Sequence, residues 1–139
     1  RGAVCDRIRQ VDGASPTGEH RIVCLLFRPD RFARPADWAV PIRPGDIWSD
    51  DPQAEDYNHM ARAPYAHSHE ALRRADPLYD LVILTDWTWP YAEPGRGSAI
   101  FILRWRRPGY PTDGCIGLRP NDLAWIAPRI RFQTRLIVR

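Results

Sequence analysis

Apolar residues along the chain fall into short runs of strand length, separated by frequent prolines and glycines. Four of these runs are rich in Ile, Val, Leu and aromatic residues, the residue types enriched in β-strands. We predict strands over residues 21–27, 79–86, 98–105 and 134–138. Because 14 prolines and 9 glycines interrupt the chain, short strands joined by turns and long loops are favoured over helices.

Two further segments carry helix signals. Ser68 is suited to cap a helix over residues 68–74, and Asn121 is suited to cap a second helix that Pro128 ends. We expect the 123–126 stretch of the second helix to face the core.

Residues 29–65 hold many of the prolines, with Trp38 and Trp48 among them. We interpret this segment as one long loop. A loop of this length inside a compact domain is usually functional or acts as a lid. The alternative is a surface excursion anchored by its aromatic residues, and the pattern leaves both open.

Composition restricts the class of protein. With 139 residues, 44% of them apolar and 27% charged, the chain fits one globular domain with a hydrophobic core. No apolar run approaches the roughly 18 residues of a membrane helix, so we predict no membrane span. The net charge of +3 is too small for a nucleic-acid footprint, so we predict no nucleic-acid partner. Three scattered cysteines make neither a disulfide framework nor a Cys-x-x-Cys zinc site.

Cys115 is the candidate nucleophile. It follows a predicted strand and stands in the run Asp113-Gly114-Cys115-Ile116-Gly117, where glycines leave backbone N–H groups free beside it. Acyl transfer requires a thiolate, a base for the thiol proton and two N–H donors for the oxyanion. The amides of Gly114 and Cys115 are the candidate donors. A cysteine that merely packs as a small buried hydrophobe is the alternative.

Several segments spread over nearly the whole chain point to one known family. They are DGASPTG at 12–18, LYDLV at 78–82, GRGSAIF at 95–101, PTDGC at 111–115, NDL at 121–123 and TRLIV at 134–138. They resemble the L,D-transpeptidase family, the YkuD-like catalytic domains, whose central motif ends in Ser or Thr, a variable residue, Gly and Cys. We therefore expect a single L,D-transpeptidase-like catalytic domain over residues 1–139, lacking the family's first strands.

The resemblance implies a mainly β fold, an L,D-transpeptidase-like β-sandwich with one or two short helices. It implies that Cys115 attacks the L,D-amide of a peptidoglycan tetrapeptide stem, releases the terminal D-Ala and passes the acyl group to an amine, with Thr112 as a positioning hydroxyl. Peptidoglycan stem peptides are the implied partners, in the cell envelope or periplasm. Neither a metal nor an organic cofactor is implied, and the oligomeric state stays open.

Leu103 departs from the family pattern. Members carry the catalytic His on the strand before the cysteine, and carried over without gaps that position is Leu103; no histidine occurs over residues 95–139. Leucine cannot transfer a proton. Strand alternation puts Phe101 and Leu103 on one face, where Leu103 packs in an apolar layer. Two functions stay open: an acyltransferase with another base, and a silent member that binds peptidoglycan or a partner through the inherited cleft.

The remaining site predictions concern the base and the substrate. Exposed, structurally neutral histidines are the default for all four histidines of the chain. His69 is the speculative substitute base, because the predicted helix that it begins directly precedes the strand that enters the core. His67 and His69 alone lack the third ligand of a zinc site. Arg104, Trp87 and Ser98 are the predicted substrate-binding residues, with Arg104 for a stem carboxylate and Trp87 in an aromatic wall. The alternatives are that Arg104 lies on a solvated face and that Trp87 simply covers the end of the sheet.

Overall fold

The structure, a computed structural model, describes residues 4–5, 15–16, 18–57, 59–86, 100–104 and 116–138. These residues contain eleven strands and one helix. The strands are β1 (Val4–Cys5), β2 (Ser15–Pro16), β3 (Gly18–Phe27), β4 (Val40–Pro41), β5 (Asp46–Ser49), β6 (Met60–Arg62), β7 (His69–Ala71), β8 (Leu81–Thr85), β9 (Phe101–Arg104), β10 (Ile116–Leu118) and β11 (Arg135–Val138). The helix is α1 (Pro120–Ile126).

Six strands form the main sheet, in the order β10-β9-β8-β3-β11 with β4 beside β3. Neighbouring strands run antiparallel except for two parallel pairs, β9 with β10 and β3 with β4. The four strands predicted from apolar runs are confirmed as β3, β8, β9 and β11. A separate parallel pair joins β1 to β2. The predicted mainly β, sandwich-like fold with a short helix is confirmed.

A three-stranded small sheet, in the order β6-β5-β7, packs against the main sheet. It corrects the interpretation of residues 29–65 as one long loop, because β4, β5 and β6 all lie there. All four residues of β5 are buried. Burial of β5 and its pairing with β6 and β7 stabilise strands here, although prolines interrupt the local sequence pattern.

The predicted helix over residues 68–74 is wrong. His69–Ala71 instead forms β7, which pairs antiparallel with β5. The Ser68 hydroxyl donates to Asp50 Oδ1 at 2.6 Å, and the Asp50 N–H donates to the Ser68 carbonyl at 3.2 Å. Ser68 therefore ties the strand to its neighbour instead of capping a helix, and tertiary pairing overrides the local signal.

The second predicted helix is confirmed as α1, with a different cap. Arg119 is the N-cap residue and Pro120 begins the helix, where its missing N–H costs nothing. Asn121 lies inside the helix, so its predicted capping role is wrong. Leu123 faces the core as expected, whereas Trp125 is 62% exposed.

The central strands of the main sheet bury both faces, so alternate residues of β8 and β9 enter two apolar layers. The helix-side layer lies against α1 and comprises Ile22, Leu25, Phe27, Ala39, Leu81, Ile83, Ile102, Leu123, Ala127 and Ile130. The small-sheet-side layer lies against the small sheet and comprises Leu26, Ile42, Trp48, Leu72, Tyr79, Val82, Leu84, Phe101 and Leu103. The prediction that Leu103 packs in an apolar layer is confirmed.

No helix in the part of the chain that the structure describes has the length and apolar character to cross a membrane.

Candidate active site

Leu103 is 4% exposed, within the small-sheet-side layer. Two aromatic rings meet Phe101, its neighbour on the same face of β9. The Trp48 ring stands edge-on to Phe101 with 5.1 Å between ring centroids, and the Tyr79 ring does so at 6.2 Å. Leu103 is therefore buried in an apolar layer that also contains the aromatic side chains of Trp48, Tyr79 and Phe101.

β10 runs parallel to β9 and sets Gly117 opposite Leu103. Ile116 and Leu118 pack against the helix-side layer, which leaves Gly117 on the Leu103 side of the sheet. Parallel pairing thus brings the start of β10 next to the middle of β9.

The candidate nucleophile itself lies outside the described residues, as do Thr112, Gly114, Trp87 and Ser98. Cys115 is joined by one peptide bond to Ile116, the first residue of β10.

Arg104 ends β9 and is half-buried. It pairs in register with Leu118. Because Ile102 belongs to the helix-side layer, strand alternation puts Arg104 on that same face, opposite to the face of Leu103. The structure therefore separates Arg104 from Leu103 by the thickness of the sheet.

His69 lies on β7, opposite Ser49 of β5, and is exposed. Its Nδ1 is 2.7 Å from the carbonyl oxygen of His67, and its ring stands edge-on to Tyr65 at 5.6 Å between centroids. These contacts belong to the small sheet and the connection that leads into it. None of them joins His69 to β9 or β10.

The other histidines divide between surface and core. His67 is exposed, with Nδ1 3.4 Å from Asp51 Oδ2, and His59 is half-buried, with Nδ1 2.9 Å from the Tyr57 carbonyl oxygen. His20 is 3% exposed on β3, so the expectation that every histidine is exposed is wrong for this residue. On β3 it pairs in register with Leu136 of β11, a contact between distant segments that its local sequence does not indicate.

Trp48 shares the small-sheet-side layer with Leu103, and sequence reasoning did not single it out. It is 4% exposed, and its indole N–H is buried without a hydrogen-bond acceptor among the described residues. A buried donor that lacks a partner costs roughly 1–3 kcal/mol. The one sequence signal was an aromatic residue inside the proline-rich segment 29–65.

Tyr79 contributes the other polar group of this layer. Its hydroxyl donates to Glu70 Oε2 at 2.8 Å, and the Arg74 guanidinium lies 5.3 Å from the centre of its ring. Glu70 lies on β7.

A buried arginine fastens the segment that leads to Tyr79. Arg28 donates through Nε and Nη2 to both carboxylate oxygens of Asp30, at 2.8 and 2.9 Å. It also donates through Nη1 to the carbonyl oxygen of Arg74 at 2.7 Å. The bidentate guanidinium holds the pKa of the Asp30 carboxyl well below its usual range. The hydrogen bond from Arg28 to Arg74 ties the turn after β3 to the segment before β8, and the ion pair with Asp30 holds the guanidinium in place.

Cys24 is the thiol whose surroundings the structure describes. It lies on β3, partly buried at the edge of the small-sheet-side layer. Burial raises the pKa of its thiol, so it stays protonated at neutral pH and reacts slowly. Cys24 is therefore poorly suited to compete with Cys115 as a nucleophile.

Among the described residues, no three His, Cys, Asp or Glu side chains are grouped closely enough to hold a metal ion.

Comparison with known proteins gives one match. A model of the YkuD family, described as the L,D-transpeptidase catalytic domain, matches residues 6–138. Searches of curated proteins and of solved structures gave no significant match.

Proposed function

The chain belongs to the YkuD family of L,D-transpeptidase catalytic domains, and on that premise we propose that it is a cysteine acyltransferase. Its substrate is the tetrapeptide stem of peptidoglycan, and its acyl-enzyme is a thioester on Cys115. The place of action is the cell envelope, where that substrate occurs.

The register of β9 and β10 carries the proposal. Gly117 is set opposite Leu103, while Ile116 packs on the helix side. Cys115 immediately precedes Ile116, the first residue of β10. The resemblance implies a general base at the position of Leu103, so we assign the Cys115 thiol to the Leu103 face of the sheet.

The reaction runs in two steps. Cys115 Sγ attacks the carbonyl carbon of the L,D-amide, and the thiol proton passes through a base to the amine of D-Ala as the C–N bond breaks. The amides of Gly114 and Cys115 donate to the oxyanion, and Thr112 positions the substrate. An amine then attacks the thioester carbonyl and regenerates the thiol. Trp87 and Ser98 are the proposed substrate contacts, whereas Arg104 lies on the face of β9 opposite to Leu103 and is not assigned that role.

The base is the unusual part of this proposal. Leu103 has no proton to exchange, and a general base is typically worth about 10²- to 10⁴-fold in rate. His69 is the proposed substitute, and its exposed imidazole on β7 would have to reach the thiol from the small sheet. A substrate-assisted or uncatalysed deprotonation would leave only slow turnover.

The burial of Leu103 favours a second candidate function. A leucine that is 4% exposed among aromatic and aliphatic side chains stabilises the layer and removes the proton acceptor. The domain would then bind stem peptides through the inherited cleft without acylation.

Intact-mass spectrometry of the protein with a tetrapeptide stem tests both functions, with D-Ala release followed by chromatography. The acyltransferase proposal expects a mass increase that maps to Cys115 and is absent from Cys115→Ala. His69→Gln should lower the acylation rate, with His59→Gln as its matched control. An adduct that persists in Cys115→Ala contradicts the nucleophile assignment. Binding of the stem without adduct or D-Ala supports the second function.

A further inference from the structure

We propose that the exposed basic and aromatic segment over residues 125–132 binds the surface of a membrane that carries anionic phospholipids. This segment runs from the last turn of α1 towards β11 and lies on the helix side of the main sheet. The inference goes beyond the proposed function, because it concerns the face opposite to the one assigned to the Cys115 thiol.

The 125–132 segment exposes two large aromatic side chains. Trp125 is 62% exposed and Phe132 is 55% exposed, while Ile126 and Ile130 between them pack against the helix-side layer. Burial of the two isoleucines anchors the segment and leaves both aromatic rings in contact with solvent. Exposed aromatic side chains of this kind enable peripheral proteins to enter the boundary between lipid headgroups and acyl chains.

The same segment carries uncompensated positive charge. Residues 123–139 contain four arginines and no acidic residue. Neither Arg129 nor Arg131 forms an ion pair with a carboxylate among the described residues, and the preceding acidic residue, Asp122, is bound to Arg119 at 2.8 Å. Free guanidinium groups beside exposed aromatic rings complement a surface of phosphate groups.

Trp125 and Arg129 are held together before any partner binds. The Arg129 guanidinium lies over the Trp125 ring, 4.0 Å from the ring centre, and donates a hydrogen bond to the Trp125 carbonyl oxygen. The stacked pair presents an apolar ring and a cation at one place on the surface.

Phe132 stands at the tip of a fixed turn. It is the second residue of a four-residue turn that the Thr134 N–H closes by donating to the Arg131 carbonyl oxygen at 3.0 Å. Gln133, the third residue, has a φ of 73°, the left-handed value of that position in type II turns. Its N–H donates to the Ile22 carbonyl oxygen at 2.8 Å. Because the turn is fastened to β3, binding costs little backbone freedom.

These features select a lipid surface over other anionic partners. The two aromatic rings lie on a helix end and at a turn tip, which suit a flat interface better than a peptide or glycan that needs a groove. A nucleic acid needs many arginine or lysine contacts to its phosphates, and the chain has a net charge of only +3. At a bilayer interface the aromatic rings enter the headgroup boundary, while the guanidinium groups stay beside the phosphates.

Phe32 and Arg73 provide matched controls in the same chain. Phe32 is 38% exposed and follows Arg31, whose guanidinium is bound to Asp80 at 2.7 Å. It is therefore an exposed aromatic residue beside a neutralised arginine. Arg73 is an arginine with a compensated charge, because its guanidinium lies 3.4 Å from the Asp30 carboxylate.

Co-sedimentation with lipid vesicles tests the proposal. The protein should bind vesicles made of equal parts phosphatidylglycerol and phosphatidylcholine, should not bind phosphatidylcholine alone, and should bind more weakly as salt screens the arginines. Trp125→Ala and Phe132→Ala should each lower the partition coefficient about tenfold, and Arg131→Gln should lower it about fivefold. Phe32→Ala and Arg73→Gln should leave it within about twofold of the unchanged protein.

Two results overturn the proposal. One is a failure of the protein to bind the phosphatidylglycerol vesicles. The other is equal binding by Trp125→Ala, Phe132→Ala and the unchanged protein. Sedimentation velocity without lipid tests a second copy of the chain as the occupant, and a dimer that Trp125→Ala dissociates would assign the segment to self-association instead. Stem-peptide affinity should be the same in Trp125→Ala, so this test and that of the proposed function fail independently.

Discussion

The two faces of the main sheet bury similar sets of aliphatic side chains and yet differ in character. The buried members of the helix-side layer are all apolar, from Ile22 to Ile130, and α1 closes it. The small-sheet-side layer carries the indole of Trp48 and the hydroxyl of Tyr79 among its aliphatic residues. One face is a wholly apolar core, whereas the other includes two side chains with polar groups, those of Trp48 and Tyr79.

Under the proposed function, a strand buried on both faces also borders the reacting group. Ile102 and Leu103 are adjacent on β9 and are both buried, but their side chains enter different layers. A substitution at Ile102 changes packing alone. A substitution at Leu103 changes packing and also the surroundings of the proposed nucleophile.

The largest expected effect belongs to Leu103→His. A buried imidazole stays neutral because desolvation lowers its pKa, and it would face the proposed thiol. We expect the rate of acylation by a tetrapeptide stem to rise roughly 10²- to 10⁴-fold, measured by time-resolved intact mass. Ile102→His is the matched control, since it places the same imidazole one residue away on the helix side. An equal gain from Ile102→His would remove the distinction between the two faces.

Leu123→Ala probes the helix-side layer. Leu123 is 2% exposed, and truncation of a buried leucine typically costs about 2–5 kcal/mol. We expect urea denaturation to show a loss of that order. Stem-peptide affinity, measured where the variant is still folded, should be unchanged. A large loss of affinity in the folded variant would show that the helix side also shapes the site.

The reactivity of Cys24 tests how well the small-sheet-side layer excludes solvent from a thiol at its edge. Because burial raises the pKa of its thiol, Cys24 should react with iodoacetamide more slowly in the folded protein than in urea. The rate should keep rising above the pH at which a free cysteine saturates. Peptide mapping by mass spectrometry follows each cysteine separately. Rapid native labelling of Cys24 would count against its assignment as an inert thiol.

The smallest expected effect is the pH dependence contributed by Asp30. Its folded pKa is depressed by Arg28, so its contribution to stability is complete above the ordinary pKa of about 3.9. That contribution decreases as the pH falls below this value toward the folded pKa. Asp30→Asn should flatten this part of the acid unfolding curve. Asp37→Asn, at an exposed aspartate with no ion pair among the described residues, should not.

Much of the main sheet was predictable from sequence, because its strands are apolar runs. β8 is buried at all five positions, and such a strand appears in sequence as an unbroken stretch of Leu, Val and Ile. Helix α1 was predictable from Pro128 and its apolar residues. Its N-cap was not, because Asn121 is a favoured capping residue whereas Arg119, the actual N-cap, is not.

The small sheet was not predictable in this way. β7 is exposed at every residue and has no apolar pattern, and Ser68 before it carries a helix-cap signal. Its strand form comes from pairing with β5, a contact between segments about 20 residues apart. The burial of Trp48 has the same origin. For the site, sequence indicated the position of Leu103 and its apolar layer, whereas the register with Gly117 and the unpaired indole required the fold.

Pairing of β3 with β11 leaves part of the β3 edge without its partner until β11 has been synthesised. The register joins Gly18 to Val138 and Arg21 to Arg135, so segments far apart in the sequence must meet. Contacts between such distant segments slow folding. Until Arg135–Val138 leaves the ribosome, the Gly18–Arg21 edge lacks this partner, and an open strand edge is a template for pairing with other chains. A nascent chain stalled before Arg135 would therefore be the form most in need of a chaperone.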